Sequence, residues 1–332
     1  MSMCKKNIAK FHDDHVVLAE NLKKTIRERA KNNRIRIRTN LERSENPNPI
    51  GFLQQGSYKM GTMIRANKEK YDIDDGIYFK PDELGEMSPR EVREMICEAA
   101  RDKKFDTPPE VKTNCVRIYY NEGFHIDVPV YKKHDNEKPL LSSGYEWIKS
   151  DPKAVTEWFK NSADGTGNAD GIRKIVRLLK KFVDCYAGES RISGLAISVL
   201  VVELWDLESN AEFDWEDALH QIMKSIKDRL LWSQKIMHPV ITDECLVDEN
   251  DQKVIEFKDK LVDAILDLSV LDRHEYSKND ALLAWEKVFP CGFFKDVADN
   301  DDSPATKATV AAGVAGYAPT VIANPPKPWS CR

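Results

Sequence analysis

The sequence predicts an α+β protein, a mixed strand-and-helix block in the first half followed by a lobe built from helices. Three observations point there. Between Gly51 and Tyr131, short β-rich runs are interleaved with turns and one capped helix. From Pro152 onward, apolar residues recur at helical spacing behind a Ser150-Asp151-Pro152 start signal. The last stretch, 301–332, is rich in Ala, Pro, Thr and Gly and has few large apolar side chains, the composition of a flexible tail.

Taken in order, residues 8–45 read as one or two long helices, with Val17, Leu18, Leu22 and Ile26 at helical spacing and charges between them. Asn46-Pro47-Asn48-Pro49 ends them. Gly51 to Gln55 is a short extended run that stops at Gly56-Ser57, and Tyr71 to Phe79 is a strand. Ser88 caps a helix running to Ala100, with Pro89 at its first position. Val111 to Tyr120 and Phe124 to Tyr131 read as two strands around the Asn121-Glu122-Gly123 turn. Helices are expected over about 152–162, 168–186, 191–208, 214–228 and 253–269.

Composition narrows the function classes. The 332 residues are 41% hydrophobic and 32% charged, as in ordinary globular proteins. A net charge of -5 argues against long nucleic acid as a partner, because that needs a broad excess of Lys and Arg. Small nucleotides need only a local cluster of cations. No apolar run is long enough to span a membrane, and the start of the chain, Met1-Ser2-Met3-Cys4-Lys5-Lys6, has no apolar signal stretch. The seven cysteines are scattered without zinc spacing, so reduced thiols and a cytoplasmic location are expected.

Three features of the α/β block carry chemistry. Gly56-Ser57 lies between a strand and a helix, where glycine allows close approach to a phosphate and the serine hydroxyl adds a donor, although such pairs also mark plain turns. Asp72-Ile73-Asp74-Asp75 follows; on a strand, Asp72 and Asp74 share a face. Two carboxylates on one face repel unless a cation lies between them, and a divalent metal with oxygen ligands meets that need. A solvated acidic strand end is the alternative. Asp127 is set within Phe124-His125-Ile126-Asp127-Val128-Pro129-Val130, an otherwise apolar strand. A third carboxylate beside the first two would complete a two-metal site, which activates an attacking hydroxyl and stabilises leaving pyrophosphate.

This pattern resembles the polymerase-β-like nucleotidyltransferases, and within them the bacterial cGAS/DncV-like enzymes that make cyclic oligonucleotides in anti-phage (CBASS) signalling. The matching strings are Gln55-Gly56-Ser57, Asp72-Ile73-Asp74-Asp75-Gly76 and His125-Ile126-Asp127-Val128-Pro129 with Tyr131. They continue through Trp147-Ile148-Lys149-Ser150-Asp151-Pro152-Lys153, Trp158-Phe159, Arg177 to Phe182, Ser193 and Thr242-Asp243-Glu244. The similarity spans roughly residues 10–290 and is greatest to the branch containing the bacterial cyclic GMP-AMP synthase.

The resemblance implies a polymerase-β-like core with a C-terminal helical lobe. It divides the chain into N-terminal helices packing on the core (1–45), the nucleotidyltransferase core (46–150), the helical lobe (151–300) and the tail (301–332). Asp72, Asp74 and Asp127 would be catalytic and would hold two Mg²⁺ ions, with Mn²⁺ as a substitute. Gln55, Gly56, Ser57, Arg117, Lys180, Ser193 and Asp243 would bind nucleotide. Each of the last four also has a plain structural reading: a lysine keeping its charged head in water, a helix start at Ser193, a surface strand arginine, a loop cap at Asp243. The implied substrates are nucleoside triphosphates of the ATP and GTP type and the implied product a cyclic di- or oligonucleotide, 3',3'-cyclic GMP-AMP first. A separate effector would read it, and a regulatory protein partner is also expected. Rival readings are transfer to an RNA end or a small-molecule hydroxyl, and a silent nucleotide-binding module.

Overall fold

A computed structural model describes residues 3–65, 71–186, 191–205 and 214–301. The tail expected over 301–332 lies outside the described residues from 302 onward.

The chain opens with α1 (Lys5–Phe11), a π-helical turn (His12–Val16) and α2 (Glu20–Arg43). Of the one or two long helices expected, there are two, separated at Val17, which is extended at ψ 139°, and the break lets the two parts serve different cores. Cys4, Ile8, Phe11 and Val16 are buried with the helical lobe. Leu18, Ile26, Ala30, Ile37 and Leu41 are buried against the sheet.

The α/β block comprises β1 (Gly51–Gln54), α3 (Gly56–Met60), β2 (Tyr71–Phe79), α4 (Pro81–Leu84), α5 (Pro89–Ala99), β3 (Glu110–Val111), β4 (Val116–Tyr119), β5 (Phe124–Val128), β6 (Val130–Lys132), β7 (Leu140–Ser143) and β8 (Glu146–Lys149). The strand expected over Phe124–Tyr131 is divided at Pro129, which has no N–H for the ladder. Val111–Tyr120 is likewise divided into β3 and β4. The division at Pro129 serves the central strand: β5 pairs in parallel with the first half of β2, and β6 with its second half. β1 adds to β2 from the antiparallel sense. Buried on nearly its whole length, β2 is the spine of the sheet. α5 covers it, started by a Ser88–Glu91 capping box with Pro89 at N1, as the sequence indicates.

The helical lobe follows as α6 (Pro152–Gly165), α7 (Ala169–Tyr186), α8 (Gly194–Glu203), α9 (Trp215–Trp232), β9 (Ile236–Met237), β10 (Cys245–Val247), α10 (Gln252–Asp267), α11 (Lys278–Val288) and α12 (Phe293–Asp301). Asp151 caps α6 by accepting from the Ala154 N–H at 3.0 Å. The lobe has its own core around Trp285, Phe257, Phe289 and Phe294. α8 is shorter than the expected 191–208, because residues 191–193 are a non-helical approach to the cap. β7–β10, α11 and α12 were not expected. Among the described residues, no helix is long and apolar enough to cross a membrane.

Candidate active site

β2 sets the geometry. Its alternation turns Ile73 and Asp75 to one face and Asp72 and Asp74 to the other. Asp75 is 2% exposed and takes both oxygens to the Arg34 guanidinium of α2, with Arg34 Nε donating to Oδ2 at 2.8 Å. It therefore joins α2 to the back of the sheet. On the cleft face, Asp74 stands directly opposite Asp127 in the parallel β2–β5 register, and Asp72 opposite His125. The three predicted carboxylates are thus brought to adjacent strands of one sheet.

Each carboxylate has a distinct environment. Burial, followed by the charges of Asp127 and Asp72, pushes the Asp74 carboxyl up to about 7. Asp72 is in ion-pair contact with His125 Nε2, which holds its carboxyl below the ordinary value. Asp127 receives a bidentate pair from Arg117, Nε to Oδ1 and Nη2 to Oδ2, both at 2.8 Å. Arg117 and Asp127 face each other across the β4–β5 ladder, which explains the fit. Among the described residues, no three acidic, His or Cys side chains converge closely enough to hold a metal ion. The donor set itself is all oxygen, aligned and electrostatically crowded, which suits a hard divalent cation. A cation held there would compete with His125 for Asp72 and with Arg117 for Asp127.

The Gly56-Ser57 turn abuts this face. Gly56 has φ +64°, and a Cβ there would lie 2.3 Å from Asp74 Oδ2. Glycine is therefore needed twice, for the left-handed backbone and for the carboxylate. The Gln55 N–H donates to the Asp74 carbonyl at 3.0 Å, tying the turn to β2. The Gln55 side chain is buried and donates through Nε2 to Tyr131 Oη at 2.8 Å, where Tyr131 stacks on Tyr78. Gln55 thus shapes the floor of the site.

Gly56, Ser57, Asp72 and Asp74 line a cleft of about 490 Å³ between the sheet and α7 and α8, a volume in the range of small-ligand pockets. Lys180 of α7 stands on the opposite wall, with Nζ donating to the Thr62 carbonyl at 2.8 Å and its methylene stem against Gly194. Burial first, then Arg191 and Arg177, lower its pKa to about 8. A cation so placed gains from an anion in the cleft.

Three predicted binding residues do not line this cleft: Arg117, which is held on Asp127, and Ser193 and Asp243; Asp127 itself is also outside the lining. Ser193 is the N-cap of α8, its Oγ accepting from the Ala196 N–H at 3.1 Å; its neighbours Ile192 and Gly194 line the cleft and it does not. Asp243 is exposed on a left-handed turn between β9 and β10, at φ 70°, and also lies off the cleft wall. From that region His238 lines the cleft instead, its Nδ1 accepting from the Val240 and Ile241 N–H groups. His238 and Arg191 carry no spacing signal, being single residues in loops. A larger cavity, about 740 Å³, opens between α2 and the β4–β5 turn and is lined by none of the predicted site residues.

The fold is that of the polymerase-β-like nucleotidyltransferases, a mixed sheet followed by a helical lobe. Residues 50–131 match the family model for the nucleotidyltransferase domain of cyclic GMP-AMP synthase, DncV-like. Among curated relatives, a cyclic GMP-AMP synthase of Escherichia albertii is 30% identical over 167 residues, covering 46% of this chain and 37% of the relative. The Vibrio cholerae cyclic GMP-AMP synthase is 24% identical over 251 residues, covering 58% and 55%. The chain thus matches about a third to a half of these relatives' lengths. The solved Vibrio cholerae DncV with a linear intermediate, 5' pppA(3',5')pG, superposes with a TM-score of 0.72 at 20% identity, covering 86% of this chain and 94% of that one. A mutant of the same protein with ATP, GTP and 5MTHFGLU2 gives 0.71 at 19% identity, covering 86% and 95%. The shared fold extends well beyond the matched domain.

Proposed function

We propose that the chain joins two nucleoside triphosphates, of the ATP and GTP type, into a cyclic dinucleotide, 3',3'-cyclic GMP-AMP in the first instance. The observation that carries this is the in-register alignment of Asp74 with Asp127, with Asp72 on the same face of β2 and with Asp72 and Asp74 lining one cleft together with the glycine-serine turn. The names of the curated relatives, and the nucleotides bound to the solved DncV structures, support the choice of substrate and product.

Asp72, Asp74 and Asp127 are the residues to hold divalent ions, Mg²⁺ by preference, which lower the pKa of an attacking hydroxyl and neutralise charge on the phosphates. Ser57 and Lys180 face the same cleft from opposite walls and bind the donor triphosphate between them. Arg117, released from Asp127, becomes a guanidinium available to the nucleotide. A ribose hydroxyl of the second nucleotide attacks the donor's α-phosphate, a new phosphodiester forms and pyrophosphate leaves. The linear product then presents its free ribose hydroxyl to the α-phosphate of its own remaining triphosphate; the second attack closes the ring and releases a second pyrophosphate. The product serves as a signal read by a separate effector in anti-phage defence. Domain limits at 45, 150 and 300 are part of this reading.

Pyrophosphate release from ATP plus GTP tests it. Release that needs a divalent cation, and that Asp74→Asn abolishes, is expected. Release that persists in Asp74→Asn would overturn the assignment of the site.

A further inference from the structure

We propose that Arg177 is a positioning residue for the Gly56-Ser57 turn, acting with His12 of the N-terminal segment. The proposal rests on the reading of that turn as the triphosphate site.

α7 presents Arg177, Lys180 and Lys181 at i, i+3 and i+4, on one face of the helix. All three donate to backbone carbonyls of the segment that leaves α3. Arg177 Nη1 reaches the Gly61 carbonyl at 2.9 Å, Lys180 Nζ that of Thr62 at 2.8 Å and Lys181 Nζ that of Arg65 at 3.1 Å. The Thr62 N–H donates back to the Ser57 carbonyl at 2.9 Å, so a grip on this segment is a grip on the turn. Gly61 ends α3 in the left-handed region, at φ +72°. Its carbonyl direction therefore depends on a soft backbone that an outside donor can fix.

Arg177 also joins a third element. Its Nε donates to His12 Nε2 at 3.0 Å. His12 is 2% exposed, and its Nδ1 lies 2.7 Å from Asp13 Oδ1. Accepting at Nε2 fixes the ring as neutral with its proton on Nδ1, donated to Asp13. Burial, the largest influence, lowers the imidazole to about 4, so this acceptor form persists at neutral pH.

The His12 ring is itself held firmly. Phe11 packs among Phe289, Phe293 and Phe294 of the helical lobe. The Cys4 N–H donates to Glu216 Oε2 at 2.7 Å, and Glu216 Oε1 accepts from Trp285 Nε1. The Arg65 N–H donates to the Val16 carbonyl at 2.8 Å, so the π turn touches the same segment a second time.

Arg177 is a half-buried cation whose direct partners are a neutral imidazole and a carbonyl; among the described residues it is in no ion pair. A contact serving packing alone would avoid this desolvation. Its geometry instead suits a cation that fixes a backbone turn and adds positive field where a triphosphate binds.

The test compares His12→Phe, which fills the space without an acceptor, His12→Gln, which retains one, and Arg177→Lys, which has no fork to reach both partners. Amide hydrogen exchange over residues 56–65 is measured in the ligand-free protein, and KM and kcat with ATP and GTP. Expected in His12→Phe and Arg177→Lys are exchange at Gly61 and Thr62 and a triphosphate KM each raised about tenfold, the loss of one charged hydrogen bond, with kcat little changed. His12→Gln should restore both. Wild-type exchange and KM in His12→Phe, or an equal loss in His12→Phe and His12→Gln, would overturn the proposal. Should the wild type bind no triphosphate, the functional reading fails on its own. The exchange comparison then still decides the clamp: faster in Phe and Lys but not in Gln upholds it, and any other pattern refutes it.

Discussion

Asp74→Asn should stabilise the ion-free protein in the same stroke that removes its chemistry. Asp74 is raised from 3.8 to about 7, chiefly by burial and then by the charges of Asp127 and Asp72. Three units at about 1.4 kcal/mol each make ionising this group in the fold cost on the order of 4 kcal/mol. Between the unfolded and folded pKa values the folded state holds the extra proton, so stability is full below about pH 4 and falls as pH rises to about 7. About 3 kcal/mol of that fall lies between pH 5 and pH 8. Asparagine has no charge to force into the site and should lack this component. Urea denaturation with EDTA present, near pH 5 and near pH 8, measures it as the difference between the two proteins' pH dependences. Saturating Mg²⁺ should recover much of the wild-type loss near pH 8 and little in the variant. Parallel pH dependences would refute the account of crowded carboxylates.

Arg34→Met should cost about 3–5 kcal/mol, because it leaves Asp75 buried and unpaired, and the loss should appear in thermal unfolding. Ser193→Ala should cost about 1 kcal/mol through loss of the α8 cap, with triphosphate affinity by calorimetry unchanged. Wild-type affinity for triphosphate should weaken as pH rises through about 8, where Lys180 loses its proton. Lys180→Arg, charged throughout, should flatten that profile in the same titration.

The legible parts of the site are those fixed by strand periodicity. Asp72 and Asp74 sharing a face follows from alternation alone, and the lone Asp127 in an apolar strand was readable as a partner. The parallel pairing that sets Asp127 opposite Asp74 depends on β5 and β6 sharing β2 as neighbour, a long-range choice no local pattern encodes. Pro129 does mark the division between those strands. The role of Asp75 was hidden because its partner, Arg34, is a distant helix residue. At Ser193 the sequence also allowed a helix start, and in the fold its Oγ caps α8. The break at Val17, which sends α1 to one core and α2 to the other, has no glycine or proline to announce it.

The most direct measurement incubates the purified protein with all four nucleoside triphosphates and Mg²⁺, treats the mixture with nuclease and phosphatase, and identifies products by mass spectrometry. An Asp72→Ala, Asp74→Ala double variant is the control. A phosphatase-resistant cyclic product containing guanine and adenine, absent from the double variant, is predicted. Linear or end-extended products alone, or a cyclic product that the double variant also makes, would contradict the assignment.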